Sequence, residues 1–165
     1  MGIDAENDAR ELLSTVWAMP VLPVDPFTIA QRLGIKAYAA NLDERVSGML
    51  VKRPGEDPEI YVNASDSSNR QRFTCAHELG HYFKRSAAGD AEWEYVEYRD
   101  LLTSQGSNPE EIYANRFAAS LLMPSEAVKK MHEEKKLGVA ALAYEFGVSA
   151  EAMHYRLVNL GLLPK

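Results

Sequence analysis

From the fifth residue the chain sets Ala9, Leu12, Leu13 and Val16 at helical spacing, which predicts a helix over about Ala5–Trp17. Three prolines in "MPVLPVDPF" (Pro20, Pro23, Pro26) then predict a rigid, extended connector. Asp25 followed by Pro26 is an N-cap and first-turn pair, opening a short helix that ends near Gly34. "VSGMLVK" and "EIYVN" read as strands, and the turn-rich "RPGEDP" between them predicts a hairpin over Val46–Val62. Polar "ASDSSNRQ" leads into a long helix, with Ser68 and Gln71 at capping-box spacing and an end between Lys84 and Gly89. "GDAEWEYVEYRDLLTSQGS" mixes charge and aromatics without one period, and fits a helix or an irregular loop equally well. "NPEEIYANRFAASLLMP" is helical again, with Pro109 near its start and Pro124 at its end. In "VAALAYEFGVSAEAMHYRLVNLGLL" a helix ending at Phe146, a turn at Gly147–Ser149 and a helix to about Asn159 form a helix-turn-helix-like pair.

Helices, a small sheet, then more helices predict an α+β fold. We expect residues 1–125 to form the main domain and 126–165 a helical extension packed on it. With 46% hydrophobic and 25% charged residues, the chain has the material for one soluble core. No apolar run approaches the roughly 18–20 residues that span a bilayer. The acidic start lacks a signal-peptide pattern, and the lone Cys75 excludes an internal disulfide, so a cytoplasmic protein is expected. Net charge is −6, which argues against a general nucleic-acid binder. The charge is uneven: the stretch from Lys129 onward is +2 and everything before it −8.

Chemistry enters with "FTCAHELGHYF", Phe73 to Phe83. Residues i and i+4 of an α-helix lie about 40° apart, so His77 and His81 point the same way and can place two imidazole nitrogens on one ion. Glu78 sits about 60° beyond His81, where a general base takes a proton from a water activated by zinc. The plain alternative is a histidine pair on a solvated helix face. Phe73, Ala76, Leu79, Gly80 and Phe83 oppose it, because they predict a buried helix whose polar groups need partners. Cys75 lies about 160° from His77 and reads as a core residue. His132 and His154 read as surface residues.

Catalytic zinc takes three protein ligands and a water. A third histidine in the His-Glu-x-x-His-x-x-Gly-x-x-His pattern is excluded, because those positions hold Lys84 and Ala87. A glutamate from a second element remains, with Glu92, Glu94, Glu97, Glu110 and Glu111 as candidates. Glu111 can equally complete a capping box with Asn108, although Ser107 and Glu110 share that spacing. Asn115, one turn after Glu111, can hold one histidine from behind.

"RFTCAHELGHYF" and "EIYANRFAASLLMP" together resemble the ImmA/IrrE family of zinc metallopeptidases, and the likeness extends upstream to "PVDPFTIAQRLGI", "SGML" and "IYVN". The resemblance implies a zincin-like core, zinc bound by His77, His81 and Glu111, and Glu78 as the catalytic base. Tyr113 departs from the acidic residue often found at its position in the family. The resemblance further implies a cytoplasmic endopeptidase that cuts a helix-turn-helix repressor encoded nearby, in phage, mobile-element or stress control. Tyr82, Tyr98, Arg116 and His132 are candidates for steadying the oxyanion. An extended substrate is expected to add to the edge of the Val46–Val62 hairpin. The second helix of the C-terminal pair offers one arginine, Arg156, and a counterproductive Glu151, so DNA binding is not expected. The rival reading is a non-proteolytic metal-binding regulator or toxin–antitoxin component; Glu78 and the lack of an evident fourth ligand oppose a purely structural site.

Overall fold

The computed structural model describes residues 4–17, 21–89, 93–98 and 108–165. Helix α1 (Ala5–Leu12) starts at Asp4, whose side chain accepts from the Glu6 amide, and continues as a wider π-turn over Leu13–Trp17. Helix α2 (Pro26–Arg32) opens as its Asp-Pro pair predicts, with the Asp25 carboxylate accepting from the Phe27 amide. Strands β1 (Lys36–Ala40), β2 (Val46–Lys52) and β3 (Glu59–Asn63) precede α3 (Ser68–Ala88). Strand β4 (Trp93–Tyr98) follows, then α4 (Pro109–Leu122), α5 (Ser125–Glu133), α6 (Val139–Phe146) and α7 (Ala150–Asn159). The fold is α+β.

Four strands form one sheet in the order β1-β3-β2-β4. Strand β1 runs parallel to β3, and β2 is antiparallel to both β3 and β4. Two expectations change here. The β2–β3 hairpin is the middle of the sheet, so it has no edge to offer, and β1 and β4 are the outer strands among the described residues. The segment that fitted helix or loop contributes β4, paired from Val46↔Tyr98 to Lys52↔Trp93. A third correction is local: Ser67, not Ser68, caps α3, accepting from the Arg70 amide through its hydroxyl.

The inner face of the sheet, including Leu50, Ile60 and Val62, packs on α3 with no exposed area. Leu12, Ile29, Leu79, Phe117, Leu121, Leu142, Phe146, Met153 and Leu157 belong to the same cluster of buried residues, so the C-terminal pair shares the core. Two arginines reinforce this. Arg72 on α3 donates to the carbonyls of Val24, Phe146 and Gly147. Arg156 on α7 is buried and donates to the Met123 carbonyl and to Glu6 of α1. No described helix is long and apolar enough to cross a membrane.

Candidate metal centre

Helix α3 has 21 residues and ends where Gly89 takes the left-handed conformation, φ 78°, that a residue with a side chain resists. His77, Glu78 and His81 lie in its buried middle, each at most 1% exposed. Helix α4 starts at Asn108, whose side chain accepts from the Glu110 amide, with Pro109 in the first turn. That start brings Glu111, 5% exposed, across from the histidines.

Glycine sets how closely the two helices approach. A Cβ at Gly80 would lie 3.0 Å from the Ala114 Cα and 3.2 Å from the Phe117 Cβ, so a side chain here would press the two helices apart. Gly48 does the same between β2 and α3. A Cβ there would lie 2.5 Å from the Thr74 methyl and 2.9 Å from the Tyr61 carbonyl, with a Glu78 carboxylate oxygen at 3.5 Å. Neither role was assigned from sequence. The available signal was a glycine inside each apolar element, which marks close backbone approach.

Three electron-pair donors converge. The Nε2 atoms of His77 and His81 are 3.0 Å apart, and the Glu111 carboxylate lies 3.3 Å from the first and 3.2 Å from the second. Tetrahedral zinc with ligand bonds of 2.0–2.1 Å separates its donors by about 3.3–3.4 Å, so the set fits such an ion nearly as it stands. Two imidazoles and one carboxylate also suit zinc chemically. The Asn115 amide oxygen lies 2.9 Å from His77 Nδ1 and accepts its proton, which turns Nε2 toward the site, where it would give up its own proton to bind a metal. Burial pushes the Glu111 carboxyl up, but hydrogen bonds and charge from His77 and His81 outweigh it and hold its pKa at about 2. The carboxylate is thus ionised wherever the site can bind metal.

The donor atoms of His77, His81 and Glu111 all lie within 4.8 Å of one another, the only group of metal-competent side chains among the described residues. Glu110 points elsewhere, 3.4 Å from Arg85. Glu92 and Ser107 lie outside the described residues, as do the side chains of Glu94, Glu97 and Tyr98. Cys75 is a buried free thiol whose pKa burial pushes up, which is a core role. Of the oxyanion candidates, Arg116 is exposed and His132 donates through Nδ1 to the Leu137 carbonyl.

A family model described as the IrrE N-terminal-like domain, a peptidase family, matches residues 30–158. The chain belongs to this family. The IrrE-like match runs through both histidines, Glu111 and the C-terminal helical pair. Among solved structures, a Mycobacterium tuberculosis transcriptional regulator is similar in fold, with a TM-score of 0.65 at 17% identity. The similarity covers 94% of this chain and 46% of that one, so the chain spans about half that regulator's length. A comparison with curated proteins returns no match.

Proposed function

We propose that this IrrE-like chain is a zinc-dependent endopeptidase that hydrolyses one bond in a specific cytoplasmic protein, a helix-turn-helix repressor encoded nearby. The observation that carries the reading is the converging set of His77, His81 and Glu111 with Glu78 between the histidines on the same helix. Zinc held by these three donors supplies a Lewis acid that lowers the pKa of a water and polarises a substrate carbonyl. Glu78 takes the proton from the attacking water and delivers it to the leaving amine. Its carboxylate lies beside β2, 3.5 Å from where a Cβ at Gly48 would stand. Asn115 holds His77 in the tautomer that donates through Nε2. Strand β4 borders β2, the strand that carries Gly48, and is an outer strand among the described residues. It is therefore our choice for the edge that receives an extended substrate through main-chain hydrogen bonds.

The fold also bears on DNA. Arg156, the one arginine of the would-be recognition helix, is turned into the core. With Glu151 exposed on the same helix, α7 presents no cation of its own to phosphate, which favours a protein partner. Metal content tests the reading first. Purified protein should carry about one zinc per chain, and His77→Ala, His81→Ala and Glu111→Ala should each reduce it at least tenfold. Full occupancy in Glu111→Ala would assign the third ligand to another acidic residue.

A further inference from the structure

On α4 the residue two places after Glu111 is Tyr113, 6% exposed. Its hydroxyl donates to the Asp8 carboxylate of α1 at 2.7 Å. The Lys84 ammonium of α3 lies 5.3 Å from its ring centroid, within cation–π range. Lys84 follows His81 by three residues, so one side chain joins the helix of the histidines, the helix of Glu111 and α1. The ring also stacks on Phe117 (centroids 6.2 Å apart), which packs on Phe83 of α3 at 5.5 Å. Helix α1 lies outside the residues 30–158 that match the family.

Geometry gives this arrangement a task. Helices α3 and α4 approach each other most closely at Gly80 and Ala114, and the roll of α4 about that line sets where Glu111 points. At about 100° per residue, Glu111 lies about 60° from Ala114 one way round α4, and Tyr113 about 100° the other way. The two side chains therefore flank the line of contact. A roll of about 10° swings a group 5–6 Å from the helix axis by about 1 Å. Metal–ligand distances tolerate about 0.2 Å.

We infer that Asp8, Tyr113 and Lys84 form a positioning clamp that fixes the roll of α4 and thereby seats Glu111 against His77 and His81. The inference rests on the metal-site reading above and adds a device that seats one of its ligands. Tyr113 and Asp8 are positioning residues that act through α4.

The test measures cobalt affinity by competition with a chromophoric chelator, the visible d–d spectrum of the cobalt form, and the Tm of the metal-free protein. Tyr113→Phe keeps the ring and loses the bond to Asp8. It should weaken cobalt binding about tenfold, the low end for removing a group that orients a ligand, and shift the d–d bands. Asp8→Ala should do the same if Tyr113→Phe folds poorly, and the double variant should add little, because both break one bond. Asp8→Asn, which still accepts from the hydroxyl, should stay close to wild type. Unchanged affinity and spectrum in both Tyr113→Phe and Asp8→Ala, with only Tm lowered, would make the cluster packing alone and overturn the clamp. Folded wild-type protein that takes up no cobalt or zinc would sink the metal reading itself, and the clamp with it.

Discussion

At the scale of single residues, the centre is a problem of buried charge. Glu111 is almost inaccessible, and a carboxylate in that position persists only because His77 and His81 stabilise its charged form. Its folded pKa of about 2 lies below the usual 4.5, so the unfolded chain binds its proton more readily. The stability this contributes is full above pH about 4.5 and lost as pH falls through about 2. Acid unfolding of the metal-free protein, followed by circular dichroism between those values, should therefore be steeper in wild type than in Glu111→Gln. Equal slopes would show that the carboxylate is not held by the histidines. This pairing was only half legible in the sequence. The i, i+4 spacing set His77 and His81 on one face, but capping-box spacing gave Glu111 a competing role that only the placement of α4 removes. That placement depends on Asn108 capping the helix through Glu110, which leaves Glu111 to face α3.

At the scale of elements, the closest approach of the site's two helices is made where one of them has no side chain. A methyl group at Gly80 meets the backbone of Ala114 at 3.0 Å, where nothing can yield cheaply. Gly80→Ala should cost about 1–3 kcal/mol in chemical denaturation, as overpacking does. It should also weaken zinc binding, since it moves Glu111 and Asn115 away together. Wild-type zinc affinity in that variant would mean the crossing distance is not what assembles the site. Helices α3 and α4 were readable because caps, prolines and period lie within each segment. The sheet was less so. Strand β1 is alanine-rich and largely exposed, and it gains its place only by parallel pairing with β3 across the β2 hairpin. Strand β4 owes its conformation to β2, more than forty residues earlier, so no local period marks it. For the same reason the hairpin looked like an edge: strand order is a property of distant pairings.

For the whole molecule, the question is whether the C-terminal pair can be separated from the rest. Leu142, Phe146, Met153 and Leu157 have no exposed area and share one core with Leu79 and Phe117. Arg72 and Arg156 add buried bonds from charged donors to backbone carbonyls on both sides of the boundary. We predict that a chain ended after Ser125 loses cooperative thermal unfolding, because it exposes that core and leaves Arg72 with only its bond to Val24. A sharp transition in the shortened chain would make residues 126–165 dispensable for the fold of the rest. The helix-turn-helix-like pattern was legible in Gly147, Val148 and Ser149. The inward turn of Arg156 was not, because its partners Met123 and Glu6 lie 33 and 150 residues away.

Proteolysis through Glu78 is the central claim, and one substitution isolates it. Glu78→Gln is nearly isosteric and leaves His77, His81 and Glu111 in place, but the amide cannot accept a proton from water. The measurement is cleavage of the proposed substrate, a purified helix-turn-helix repressor encoded nearby, by wild type and Glu78→Gln at equal zinc content, read by mass spectrometry of the products. The account predicts a single cut by wild type and a loss of at least a hundredfold in rate for the variant. Cutting by Glu78→Gln at the wild-type rate, or no cut by zinc-loaded wild type, would contradict it.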